Sequence, residues 1–317
     1  MNEITTLNHP RIVFLGTAEF GIPSLRILLD NKYPVVAVVT NADKPTGRGQ
    51  RLSCSPVKQF ADSCQLAVLQ PESLKDTQFI EHLKSLQPDI FVVVAFRILP
   101  SEVFTIPKSG SFNLHASLLP KYRGAAPIQW AIIKGEKETG VTTFLLEEKV
   151  DTGNIVLQAR VPIGENETAG EVHDRLSEVG AEIVLHTVRL IELGKANIKP
   201  QDHSEASPAP KIFKDDCKLD WRKPGTEVHN RIRGLSPRPT AFTHHNGNLV
   251  KIYRSKIASV AATAEPGTIL RSDRQLIVSA GDGAVELLEI QQEGRSKLSA
   301  EEFLRGYRLS VGDTFSS

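Results

Sequence analysis

The sequence predicts an α/β protein, a Rossmann-like doubly wound parallel sheet followed by a small open β-barrel of OB type. Three observations carry that prediction. The first half alternates short β-branched runs with helical patterns, as parallel α/β domains do. The run Ile90-Phe91-Val92-Val93-Val94 is apolar on both faces, as a central strand covered by helices on each side must be. After residue 197 the chain turns proline-rich and polar, then breaks into short strands separated by Gly- and Asn-containing turns.

Taken in order, residues 11–15 read as the first strand. The turn Gly16-Thr17-Ala18-Glu19-Phe20-Gly21 leads into a helix with Pro23 at its start, where a missing N–H costs nothing, and the helix runs to about Leu29. Strands are predicted at 35–40, 66–69 and 89–95, with a short helix at 55–63. Residues 111–117 are a further strand candidate, followed by a mixed region through Gln158. The strongest helix starts at Thr168, whose spacing to Glu171 is that of a capping box, and ends at Gly194. Val172, Leu176, Val179, Ile183 and Leu190 recur on it at helical spacing and predict one buried stripe, while His173 and His186 read as surface or packing residues. Short strands are predicted at 249–253, 267–270, 276–279 and 285–290, and Ser299 with Glu302 caps a terminal helix stopping near Gly306. No internal repeat is visible. The resulting organisation is a catalytic domain over 1–196, a linker over 197–210 and a C-terminal domain over 211–317.

At 317 residues the chain exceeds what one core usually holds, which fits two domains. Hydrophobic residues at 40% and charged residues at 24% match globular usage and exclude a disordered, collagen-like or coiled-coil chain. A formal net charge of +1 gives no global attraction to nucleic acid or membrane, so any basic surface is local. The start MNEITTLNHPRIVFLG lacks the parts of a signal peptide, and the apolar run at 90–96 is far shorter than the ~20 residues a bilayer needs. A cytoplasmic location without a membrane span is expected. Cys54, Cys64 and Cys217 form no Cys-x-x-Cys pair and are odd in number, so neither a zinc site nor a disulfide framework is expected.

Four segments are candidates for chemistry. The Gly16–Gly21 turn has the context of a nucleotide loop, but Ala18 stands where a dinucleotide fingerprint needs glycine and no acidic residue clearly follows the second strand. Close helix packing is the better reading of its glycines. The loop 43–51 places three cations, Lys44, Arg48 and Arg51, among two glycines. It is either a solvated loop or a mobile arm for phosphates, since Arg48 between glycines presents a free guanidinium. The segment 112–124 puts Asn113 and His115 on one face of a strand at the carboxyl edge of the sheet, where open α/β sheets bind ligands. An amide there can donate to a developing oxyanion and an imidazole can relay a proton. The turn Val150-Asp151-Thr152-Gly153 offers a carboxylate that could orient His115 by accepting its other ring proton.

The Asn-x-His strand, the SLLPKYRGAAPI loop and the downstream Asp-Thr-Gly resemble the formyltetrahydrofolate-dependent formyltransferases. Supporting strings span most of the chain: RIVFLGTAEFGIPSL at 11–25, DKPTGRGQ at 43–50, VVVAFRILP at 92–100 and GAAPIQWAIIKGEKETGVT at 124–142. The stretches 229–242 and 298–304 resemble the second, open-barrel domain carried by the branch of that family that acts on an aminoacyl-tRNA. The resemblance implies formyl transfer from 10-formyltetrahydrofolate, as co-substrate and without a metal, to the α-amino group of methionine on initiator tRNA. It implies Asn113, His115 and Asp151 as the catalytic trio and Ser117, Leu118, Leu119 and Pro120 as the folate-contacting segment. By the same matching Arg48 lies in the loop that enters the acceptor-stem end of the tRNA; Lys44 and Arg51 of that loop, with Arg231 and Arg233 of the second domain, are expected as further tRNA contacts, and the protein as a monomer. Residues 143–149 and 96–100 depart from the family pattern and leave the lining of the pterin pocket open.

Local charge supports an RNA partner independently. Between Lys211 and Lys256 there are eleven cations against four acids, a phosphate-neutralising stretch on a barrel type often used for nucleic acid. Trp221 and Phe242 sit among apolar neighbours and read as core. The competing readings are the same reaction on a sugar-nucleotide amine or glycinamide ribonucleotide, which has no use for the basic stretch, a folate hydrolase releasing formate, and a non-catalytic RNA-binding protein, which has no use for the trio.

Overall fold

The computed structural model describes residues 9–46, 51–262 and 264–316. Seven strands form the first sheet: β1 (Ile12–Gly16), β2 (Val35–Val39), β3 (Val68–Leu69), β4 (Ile90–Val94), β5 (Ser111–His115), β6 (Glu138–Leu145) and β7 (Ile155–Pro162). Their order is β7-β6-β5-β4-β1-β2-β3. β1 is parallel to β2 and β4, β2 to β3, and β4 to β5. β6 runs antiparallel to β5, so the sheet is mixed rather than wholly parallel. A parallel partner needs a crossover element packed back on the sheet. The helix between these two strands (Pro127–Ile133) clusters with the other compact unit instead.

The chain divides into two units that do not follow its order. One holds residues 1–123, 140–160 and 174–208, the other 124–139, 161–173 and 209–317. In the first, all five residues of β4 and of β1 are buried, as their all-apolar runs require. Helices α1 (Ile22–Asp30), α2 (Pro56–Ser63), α3 (Thr77–Ser85) and α4 (Ser101–Phe104) complete it, with most of the long helix described below. Phe79, Leu83 and Val103 pack with Val13, Leu15, Phe91 and Val93 into one core cluster. The sequence reading placed no helix at Thr77–Ser85, because only Phe79 and Leu83 mark its buried face. The Gly16–Gly21 turn is a packing device, for a Cβ on Gly16 would fall 2.8 Å from Phe14 and 3.0 Å from the Val94 carbonyl.

Counting the Pro127–Ile133 helix as α5, the long helix α6 spans Ala169–Glu192. Its capping box forms as expected, with Thr168 N–H donating to Glu171 Oε2 at 2.8 Å and Glu171 N–H to Thr168 Oγ1 at 3.3 Å. The buried stripe is rotated from the expected one. Val172 and Leu176 are buried, but Val179, Ile183 and Leu190 are only half-buried, and Ser177, Gly180, Ala181, Val184 and Val188 take the inner face. Small residues explain the rotation: a Cβ on Gly180 would sit 2.7 Å from Leu114 Cδ2, so the helix backbone lies directly against β5.

The second unit is built on an antiparallel sheet of β8 (Ala241–His245), β9 (Asn248–Ala258), β10 (Ile269–Ser272), β11 (Leu276–Ser279), β12 (Ala284–Gln292) and β13 (Leu298–Ser299). The order is β8-β9-β12-β11-β10, with β13 on β12. β8 and β9 turn through Asn246 and Gly247, both at positive φ, the pairing that suits a two-residue hairpin loop. Among the described residues no ladder joins the edge strands β8 and β10. The terminal segment bridges to both margins instead, Ser316 to His244 and Thr314 to Thr268. Helices α5, α7 (Gly225–Gly234) and α8 (Ala300–Gly306) also belong to this unit, α8 starting at the expected Ser299–Glu302 capping box. Trp221 and Phe242 are buried in its core, as the sequence predicts. Among the described residues no helix is long and apolar enough to cross a membrane.

Candidate active site

The order of β1 to β5 reverses between β1 and β4, and ligands of open α/β sheets bind at the carboxyl ends of strands beside such a reversal. β5 ends there. Alternation along the strand puts Asn113 and His115 on one face, opposite Phe144 and Thr142 of β6. Asn113 is half-buried, and no described residue hydrogen-bonds its side-chain amide. His115 is 7% exposed, so its ring is largely shielded from bulk water.

Asp151 follows β6 in a turn at φ +56°, a left-handed conformation that Asp tolerates better than most side chains. Gly153 makes that turn possible, because a Cβ there would collide with the Leu145 carbonyl at 1.7 Å. The turn brings Asp151 Oδ2 to 3.9 Å from His115 Nδ1. That is an ion-pair distance, too long for a direct hydrogen bond. The expected role of Asp151 as acceptor of a ring proton is thus not met in this geometry. The ring is oriented by a group that the sequence reading missed: His115 Nε2 lies 2.9 Å from the Tyr122 carbonyl. A carbonyl only accepts, so Nε2 is the donor in this contact and Nδ1 is the ring nitrogen that faces the carboxylate.

The loop after β5 is tied inward. Ser117 and Leu119 are buried, whereas Leu118 and Pro120 are half-buried. Ser117 Oγ donates to the Lys121 carbonyl at 2.6 Å, and Leu119 N–H donates to Thr142 Oγ1 at 3.1 Å. Ser117 and Leu119 therefore shape the loop through its interior. A cleft of about 770 Å³ opens in this unit among Phe104, Thr105, Leu146, Glu147, Lys149 and Arg123. Apolar walls, carboxylate acceptors and two cations suit a flat, polar-edged ring system carrying an acidic tail. Of these residues, Leu146 to Lys149 and Arg123 stand next to or inside the strings noted in the sequence, and Phe104 and Thr105 carried no signal.

The basic residues are dispersed. Lys44 and Arg51 lie in a short hairpin of Lys44–Thr46 with Arg51–Ser53, and Arg48 lies outside the described residues. The hairpin is rooted at Asp43, whose carboxylate is held below the usual range by Lys58 Nζ at 2.6 Å and by Gln70. Arg231 is half-buried and donates to the Asp216 carbonyl at 2.5 Å. Arg233 corrects the sequence reading: it is 4% exposed, donates to the Gly164 and Glu167 carbonyls and to Asn230 Oδ1, and so serves packing rather than a phosphate contact. Lys214, Lys218 and Arg238 are exposed and enter no salt bridge among the described residues. No group of three or more His, Cys, Asp or Glu among the described residues is placed to hold a metal ion.

Residues 10–188 match the formyl transferase family model, and residues 211–308 match the formyl transferase C-terminal domain. The methionyl-tRNA formyltransferase of Caldanaerobacter subterraneus subsp. tengcongensis is 45% identical over 304 residues, covering 95% of this chain and 98% of the relative. That of Syntrophus aciditrophicus is 46% identical over 303 residues, covering 95% and 97%. Among solved structures, the sugar 3N-formyl transferase WlaRD, in the presence of dTDP and 5-N-formyl-THF, shares the fold at TM-score 0.68 and 23% identity, covering 91% of this chain and 100% of that one. With both domain models matched in order and near-full-length relatives at this identity, the chain belongs to the formyl transferase family of enzymes.

Proposed function

We propose that this enzyme transfers the formyl group of 10-formyltetrahydrofolate to the α-amino group of methionine carried by initiator tRNA. The observation that carries the reading is the uncommitted Asn113 amide on the same strand face as His115, which faces Asp151 at 3.9 Å, in a chain about 45% identical over almost its whole length to methionyl-tRNA formyltransferases. The folate donor supplies a formyl group activated as an amide. Phe104 and Leu146 would wall its ring system, and Lys149 and Arg123 would meet its carboxylates.

The protein's task is to stabilise charge on the formyl oxygen and to take one proton from the incoming amine. Asn113 donates to that oxygen from a fixed strand position. Free α-amino groups titrate near 7.7–8.0, so removing their proton at neutral pH is a modest demand. His115 meets it at Nδ1, because the Tyr122 carbonyl already holds the proton on Nε2. The Asp151 carboxylate then lies beside the ring nitrogen that has become charged.

For the RNA, Lys214, Lys218 and Arg238 of the second unit supply phosphate contacts, as do Lys44, Arg48 and Arg51 of the 43–51 stretch. A sugar-amine acceptor would use Asn113, His115 and Asp151 equally but leaves these cations without a role. The test is transfer of labelled formyl to methionyl initiator tRNA, with uncharged tRNA and His115→Ala as controls. Transfer that needs both the charged tRNA and His115 supports the reading. Formate release, or formylation of a small amine instead, overturns it.

A further inference from the structure

The stretch 197–208 reads in sequence as part of a linker, yet it belongs to the first unit and is bonded along it. Lys199 exchanges backbone hydrogen bonds with Ile155 in both directions, at 2.7 and 2.9 Å. Two residues further on, Gln201 is 6% exposed. Its Nε2 donates to the Asp151 carbonyl at 3.0 Å and to the Gly153 carbonyl at 2.7 Å. Its Oε1 accepts from Arg123 Nε at 3.2 Å and Nη2 at 2.6 Å, and the same Nη2 also donates to His203 Nδ1 at 2.9 Å. Every hydrogen-bonding atom of this amide is in use. Its orientation is also unique, for a flipped amide would set Oε1 against two carbonyls and NH2 against a guanidinium.

We infer that Gln201, held by Arg123, is a positioning residue that fixes the Asp151 carboxylate opposite His115. This rests on the reading of Asp151 as part of the catalytic machinery. The turn needs such a brace because Asp151 sits in a left-handed conformation, which costs free energy and persists only when its surroundings over-determine it. Gln201 ties down the carbonyls on either side of Thr152, one of them that of Asp151 itself. The same segment supports the other half of the pair. Ser207 Oγ accepts from Tyr122 N–H at 2.9 Å, and the Ser207 carbonyl accepts from Arg123 N–H at 2.9 Å, so the carbonyl that orients His115 is anchored from the same stretch. Neither Gln201 nor Ser207 touches a reacting atom. Each acts through a residue that does.

The test is a double-mutant cycle on the full-length enzyme with Gln201→Met, Asp151→Asn and their combination, reading kcat and both KM values and checking each variant by thermal unfolding. Asp151→Asn suits the cycle because Asn also tolerates the left-handed turn. Acting through Asp151, Gln201→Met lowers kcat about 10- to 100-fold in the parent, as loss of a supporting shell does. It then lowers kcat less than about twofold in the Asp151→Asn background, the non-additivity expected of residues working as one unit. Equal losses in both backgrounds, or no loss in the parent, overturn the inference. Should Gln201→Met not fold, Gln201→Glu replaces it in the cycle, since it keeps the shape and the Arg123 contact but removes both donors to the turn. An Asp151→Asn enzyme with unchanged kcat would instead sink the reading of Asp151 itself, a separate and recognisable outcome.

Discussion

In the proposed mechanism, residues 111–124 and residues 197–208 serve the same site by different means. In that mechanism the first segment contributes the side chains that meet the reacting groups, Asn113 and His115, from a strand paired to β4 and β6. The second contributes none, and reaches the site through one buried amide and one serine bonded to backbone atoms. Chemistry needs particular functional groups at particular spacings, so it leaves a pattern in sequence. Bracing needs only a donor or acceptor in the right place, which many residues in a proline-rich polar stretch can supply, so it leaves none.

The largest expected effect tests the first segment. Asn113→Ala removes a donor to the developing oxyanion and should lower kcat by about 10²–10³ with little change in tRNA affinity, measured by single-turnover formyl transfer beside binding. A loss confined to KM would show that Asn113 holds substrate rather than the transition state, and the contrast between the two segments would weaken.

Next in size is a residue that supports the site through packing. Gly180→Val presses a side chain where a Cβ already falls 2.7 Å from Leu114 Cδ2, between Asn113 and His115 on β5. Overpacking of this kind costs about 1–3 kcal/mol, to be read as a lower Tm. An unchanged Tm would mean that α6 moves away from the sheet at small cost.

Ser207→Ala examines the second segment from the Tyr122 side. It removes the acceptor of the Tyr122 N–H, a hydrogen bond worth about 1 kcal/mol net, and should lower kcat several-fold with Tm nearly unchanged. An effect as large as that of Asn113→Ala would show that the stretch does more than brace.

The same distinction explains what the sequence could and could not reveal. The parallel strands of the first sheet were legible because buried parallel strands require unbroken apolar runs, as Ile90–Val94 shows, whereas β6 and β7 read only as a mixed region. The antiparallel turn of β6 was not, since it depends on α5 leaving the first unit, and nothing in Pro127–Ile133 marks which unit it joins. The inner face of α6 was misjudged because hydrophobic period weighs large side chains, while the contact is made by Ser177, Gly180 and Ala181. That Asn113 and His115 share a strand face was legible from their spacing, and the turn at Asp151 from its Asp-Thr-Gly context. The Tyr122 carbonyl was not, because every residue has a carbonyl and only the fold selects one.

The smallest effect separates the site histidine from a histidine of the second unit that is held for structure alone. His229 is 5% exposed, its Nε2 donating to the Glu165 carbonyl at 3.0 Å and its Nδ1 2.9 Å from Ser255 Oγ. Burial, reinforced by the nearby Arg233 charge and opposed by the Glu165 carbonyl, pushes its pKa below the usual 6.5. In the unfolded chain the imidazole takes up a proton near 6.5, whereas the folded protein resists doing so until lower pH. The unfolded state therefore binds more protons in that window, and the stabilisation present above pH 6.5 is lost as pH falls through the depressed folded value. His229→Gln keeps an amide that can donate to Glu165 and accept from Ser255 but does not titrate. It should flatten the fall of Tm below pH 6.5 while leaving kcat and its pH profile unchanged. Movement of the kcat profile instead would mean that the two histidines are coupled, and that the division between chemical and supporting residues does not extend to the second unit.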